Sequence, residues 1–149
     1  MHVIVATDGS AQAREAAAYL RSLANPASVT KVTVVAVVSP LAAVPFADDS
    51  PSGSLEELSF RRSAEKAVAT LAELLADWGP EITTQVRSGS PAGELVKAAR
   101  TLDAQLLVVA NRSGTLGSLL LGSVSHRVMN DAPCPVLVVR PQKGAKRSR

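Results

Sequence analysis

Cysteine, histidine and aromatic residues are scarce in this 149-residue chain, and each scarcity closes off a class of chemistry. A single cysteine, Cys134, excludes an intramolecular disulfide and suits a reducing cytoplasm. The two histidines, His2 and His126, share no ligand-like spacing with Cys134, so no metal site is expected. No Ser–His–Asp or Cys–His arrangement surrounds His126, and no catalytic dyad emerges elsewhere. No apolar stretch is long enough to span a bilayer. Met1-His2-Val3 leads directly into a strand, without the basic segment and apolar run of a secretory signal. The expectation is a soluble, cytoplasmic protein with no membrane partner. With 3% aromatic but 46% hydrophobic residues, the core must be Val, Leu, Ile and Ala, as in packed α/β layers.

The formal charge is +3, yet Lys143, Lys146, Arg147 and Arg149 alone contribute four positives. Residues 1–141 therefore form a nearly neutral or slightly acidic domain, followed by a basic tail over 142–149. Such a tail is either a solvated end or an arm for nucleic acid or an acidic surface. It is short and has no aromatic to stack on bases, so nucleic acid is not the expected partner.

Along the chain, Met1–Thr7 reads as an apolar strand and Asp8-Gly9-Ser10 as a turn. A helix follows from about Ala11 to Ala24, its inner face carrying Ala13, Ala16, Ala17, Leu20, Leu23 and Ala24. Asn25-Pro26 stops it. Lys31–Ser39 is too β-branched for anything but a buried strand. Pro40–Gly53 reads as a loop over a cleft or in solvent, where Asp48-Asp49 could serve a cation or simply solvation. Ser54 and Glu57 form a capping box for a long helix to Trp78, ended by Gly79-Pro80. Glu81–Arg87 alternates as a strand near a sheet edge. Ser90 and Pro91 open a helix with Leu95, Val96, Ala99 and Leu102 inward. Leu106–Ala110 has no polar alternation, which suits a strand buried on both faces. Five strands alternating with four helices predict an open parallel doubly wound sheet with helices on both faces.

The stretch from Gln105 to Arg140 organises the rest: strand, loop of small residues, short helix, strand. Gly114, Gly117 and Gly122 allow close backbone approach, and Gly122-Ser123 opens a helix whose first amides lack partners, a place suited to phosphate. The same pair is open to a plainer reading as a helix start. Gly122-Ser123-Val124-Ser125 with Ala132-Pro133-Cys134-Pro135-Val136-Leu137-Val138-Val139 resembles the C-terminal signature of the universal stress protein family. Val3-Ile4-Val5-Ala6-Thr7-Asp8-Gly9-Ser10 and Gly89-Ser90-Pro91 resemble that family's other landmarks.

The resemblance implies a Rossmann-like sheet, akin to the adenine nucleotide alpha hydrolases, with strand order 3-2-1-4-5. Ligands then bind where that order reverses, between the first and fourth strands. By similarity Asp8 contacts the nucleoside and the backbone around Val37 borders adenine. Ala110, Ser113, Gly122, Ser123 and Val124 face ribose and phosphates of ATP or a related adenine nucleotide, with magnesium as a companion. Read from the residues alone, Asp8 serves equally as a turn or cap residue, and Arg112 as solvated surface or an added positive charge. Cys134 reads as a buried structural thiol.

Nucleotide-binding members carry Gly, two residues, Gly, nine residues, Gly, then Ser or Thr. Here Ala110 and Ser113 take the first two glycine positions and only residues 114–121 precede Gly122. A positive φ at either position would cost on the order of 1–2 kcal/mol. Two readings stand: a nucleotide-responsive stress-response binding module, not an enzyme or at most a slow ATPase, or a stress protein that works through its dimer surface without nucleotide. The last strand, Val136–Val139, falls at a sheet edge in the implied order, and burying four such side chains supplies on the order of 6 kcal/mol, so a homodimer through it is expected.

Overall fold

The computed structural model describes residues 1–39, 52–111 and 122–140. Arg112, Ser113, Gly114, Gly117, Asp48, Asp49 and the tail from 142 to 149 lie outside the described residues. The elements in order are β1 (His2–Ala6), α1 (Ala11–Leu23), a 3-10 turn (Pro26–Ser28), β2 (Lys31–Val38), α2 (Ser52–Leu75), β3 (Glu81–Ser88), α3 (Pro91–Thr101), β4 (Leu106–Ala110), α4 (Ser123–Asp131) and β5 (Val136–Val139). All strand pairs are parallel and the order is β3-β2-β1-β4-β5, as the sequence implied.

Alternation along each strand sorts side chains to two cores. Val3, Val5, Val32, Val34 and Val108 meet Ala16, Ala17 and Leu20 of α1 and Val68, Leu71 and Leu75 of α2. Ile4, Val35, Leu107 and Val109 meet Ala92, Leu95, Ala98 and Ala99 of α3 and Val128 of α4. Alanines on α1 and α3 let both helices lie close to the sheet.

Some local expectations change. Leu23 is 60% exposed, off the face formed by Ala13, Ala16, Ala17 and Leu20, while Ala24 still packs on the core. α2 begins at Ser52, so Ser54 stands in its first turn and is not the cap; weak helix formers are tolerated where amides need no intrahelical partner. Ser90 holds the N-cap position of α3 without a side-chain hydrogen bond, and the turn is closed instead by its carbonyl accepting the Glu94 amide at 2.8 Å.

His2 ties the lower edge of the sheet together. Its Nδ1 lies 3.2 Å from the Leu102 carbonyl, which can only accept, so Nδ1 carries the proton. Nε2 then accepts from the Thr33 hydroxyl at 2.8 Å, and Thr33 lies 2.9 Å from the Thr83 hydroxyl. One hydrogen-bonded row thus crosses β1, β2 and β3. Burial lowers the His2 pKa below its ordinary 6.5, outweighing the Leu102 contact that raises it. The unfolded chain binds this proton more readily, so unfolding free energy falls as pH drops below about 6.5 and levels off beneath the folded pKa. Urea titrations at pH 7.5 and 5.5 should show this loss, and His2→Asn should flatten it.

Candidate functional site

β1 ends at Ala6, and the chain turns out of the sheet through Thr7, Asp8 and Gly9. The Gly9 amide donates to Thr7 Oγ1 at 3.1 Å and the Ser10 amide to Asp8 Oδ1 at 2.9 Å, while Gly9 takes φ +81°. Ser10, not Asp8, caps α1, its hydroxyl accepting from the Ala13 amide at 3.2 Å. This turn fixes the Asp8 carboxylate at the mouth of the sheet.

The opposite wall is the start of α4. The Asn111 side-chain oxygen, in a residue 6% exposed, accepts the Gly122 amide at 3.1 Å, and the Asn111 backbone amide donates to the Val139 carbonyl at 2.9 Å. Ser125 Oγ donates to the Ala110 carbonyl at 3.3 Å. Gly122 is therefore bound to the end of β4 by its amide. The first-turn amides of Ser123, Val124 and Ser125 have no intrahelical partner, the first such bond being from the His126 amide to the Gly122 carbonyl.

Between the walls lies a cavity of about 370 Å³, large enough for a small ligand. Its apolar floor includes Ala6, Val35, Val37, Leu95 and Val109, and Asp8 is the one ionisable side chain among its described lining residues. Of the residues singled out from sequence, Asp8, Val37, Ala110, Gly122, Ser123 and Val124 all line it, and Ser113 lies outside the described residues. Ala110 carries no strain, since Asp103 alone among the described non-glycine residues has positive φ. Sequence reasoning missed Asn111 and Thr7; each directly follows a strand end, the one signal that points to them.

Register explains why Val37 matters. In a parallel strand a residue's N–H and C=O point the same way and neighbours point oppositely. The Val35 carbonyl accepts from Thr7, on the β1 side, so the Val37 amide and carbonyl point that way too. β1 has already left the sheet at that level. The Val37 backbone edge is thus presented to the cavity.

A sequence profile of the universal stress protein family matches residues 1–140. The chain belongs to the universal stress protein family. Among its relatives, universal stress protein MJ0531 of Methanocaldococcus jannaschii is 33% identical over 145 residues, covering 95% of this chain and 82% of the relative. A universal stress protein of Thermus aquaticus is 36% identical over 140 residues, covering 93% and 97%. Among solved structures, hypothetical protein MJ0577 shares the fold with TM-score 0.80 at 20% identity, over 96% of this chain and 97% of that one. A universal stress protein in complex with cAMP has TM-score 0.68 at 25% identity, over 93% and 96%. An Arabidopsis thaliana family member with AMP bound shares the fold with TM-score 0.70 at 17% identity, over 96% and 93%.

The remaining wall of this universal stress protein's cavity, Pro91 and Leu95, is positioned by the β3–α3 turn. Gly89 has φ +145°, and a Cβ there would stand 2.9 Å from Glu94 Cγ and Oε1. Glu94 accepts from Arg87 Nε at 3.0 Å and Lys97 Nζ at 3.2 Å, contacts that hold its carboxyl below the usual range, Lys97 most strongly. Gly89→Ala should cost about 1–3 kcal/mol in urea unfolding, since only glycine adopts that backbone readily. Gly93→Ala, in α3 with its nearest contact at an ordinary 3.6 Å, should be neutral or stabilising.

Proposed function

We propose that this universal stress protein is a nucleotide-responsive binding module of the cytoplasm. An adenine nucleotide places its base on the apolar floor of the crevice between β1 and β4, with its phosphate at the start of α4. The observation that carries this reading is the convergence of the Val37 backbone edge, the Asp8 carboxylate and the α4 first turn on one cavity. An adenine 6-amino group donates to the Val37 carbonyl and a ring nitrogen accepts from its amide. A guanine, with an oxygen at that position, meets the same carbonyl unfavourably. Asp8 accepts from a ribose hydroxyl. Ser123 and Val124 amides donate to phosphate, where the helix N-terminus favours negative charge by roughly 0.3–1 kcal/mol. The cAMP and AMP held by related structures support the same class of ligand. The reading is of binding, with hydrolysis at most slow, and ATP with magnesium belongs to the same ligand class.

Calorimetry on the purified protein tests it directly. AMP, cAMP or ATP with magnesium should bind at micromolar concentration and GTP more weakly, and Gly122→Val should weaken binding at least roughly tenfold by filling the approach to the α4 amides. No binding of any of them at millimolar concentration overturns it. The second reading, action through a dimer surface without nucleotide, would then take its place. What favours it is Ala110, whose methyl lines the cavity where nucleotide-binding members have glycine.

We also propose that two copies pair through β5. The Asn111 amide donates to Val139 and the Leu107 amide to Pro135, so 135, 137 and 139 face β4 while the amides of Val136 and Val138 face outward along the sheet edge. Sedimentation should find a dimer, and Val138→Pro should yield a folded monomer by removing an outward amide and leaving the β4 ladder intact. A wild-type monomer at tens of micromolar contradicts the pairing.

A further inference from the structure

We propose that this chain has a second phosphate-binding subsite, on the flank of the β1–α1 turn opposite the crevice, with Arg14 of α1 and Lys66 of α2 as its cationic walls. The crevice is closed by α3 and α4, whereas α1 and α2 enclose a separate groove of about 350 Å³ on the other face. Gly9 and Ala67 lie in the groove and are small enough that α2 sits close to the turn, a Cβ at Gly9 meeting Ala67 Cβ at 3.6 Å. Ser63 adds a hydroxyl.

Three features point to an anionic ligand. The Arg14 guanidinium is already placed, its Nη1 donating to the Gly9 carbonyl at 3.2 Å and leaving other N–H donors of its fork for a ligand. Arg21, Arg61, Arg87, Lys97 and Arg127 each pair with a carboxylate; Arg14 and Lys66, like Lys31, Arg62 and Arg100, do not among the described residues, and these two border one groove. Two cations with no acidic partner thus border one concavity, the arrangement that a phosphate neutralises best. Finally, Asp8 lines both the groove and the crevice, so the two are neighbours across one residue. Its carboxylate repels an anion pressed against it, which places the phosphate at the Arg14–Lys66 end.

The phosphate can come from either of two sources. It is the distal part of a dinucleoside polyphosphate whose first nucleoside lies in the crevice, or it is a free phosphate species. The first rests on the crevice reading above; the second does not.

Calorimetry with pyrophosphate, AMP and diadenosine tetraphosphate, on wild-type protein and the double variant Arg14→Gln/Lys66→Gln, separates them. Pyrophosphate should bind roughly tenfold more weakly to the double variant, with AMP affinity and melting temperature unchanged. If diadenosine tetraphosphate binds wild type more tightly than AMP does and loses that advantage in the variant, one ligand spans both sites. If only pyrophosphate responds, the groove takes a separate anion. AMP failing to bind while the pyrophosphate response persists sinks the crevice reading and leaves the groove standing. Wild type and variant binding both polyphosphates equally, or not at all, overturns the proposal.

Discussion

The parallel pairing of β1 on both of its edges is the constraint from which the rest of the molecule follows. Val3, Ile4 and Val5 are fully buried, so β1 is fixed by packing on two faces and by ladders to β2 and β4 on two sides. A strand held that way cannot slip, because a shift of one residue would exchange the two cores. Its end at Ala6 is therefore fixed relative to β2, which continues to Val38. That difference in length leaves the Val37 backbone edge without a strand beside it. The crevice is first of all a place where one strand stops before its neighbour.

The other half of the crevice depends on a single buried amide side chain. Asn111 is held through its backbone by β5 and through its Oδ1 by Gly122, so the first residue after β4 helps fix where α4 begins. Val128 packs α4 on the core, and the Ser125 hydroxyl on the Ala110 carbonyl adds a second polar tie at its first turn. The α4 start is positioned by residues separated from it by the whole intervening loop. An anion site at a helix start is only as well placed as the bonds that orient the helix.

These two halves were unequally legible in the sequence. The apolar run Leu106–Ala110 and the β-branched centre of β2 announce buried strands because a parallel sheet demands apolar side chains on both faces. Asp8 and Ala110 were legible as residues near strand ends and Gly122 as a helix start, beside a family pattern. Val37 came from that pattern alone, for its role lies in its backbone direction, which needs the register with β1. Asn111 and the row from His2 through Thr33 to Thr83 were invisible for a similar reason: each joins residues far apart in the chain, and no local periodicity records such a bond. Ser90 shows the converse. A good cap residue stood in the right place, yet Pro91 and the Glu94 amide closed the turn without its hydroxyl.

The β1–α1 turn also sets the electrostatics on both faces of the sheet. The Asp8 carboxylate accepts the Ser10 amide at 2.9 Å, which sets its charge on the rim between the two concavities. From that position it faces the crevice on one side and the groove bordered by Arg14 and Lys66 on the other. The Asx-type turn, built on Asp8 and the positive φ of Gly9, thereby stands between the crevice and the Arg14–Lys66 groove. Under the two proposals, a ligand's length and charge decide whether it meets one face or both.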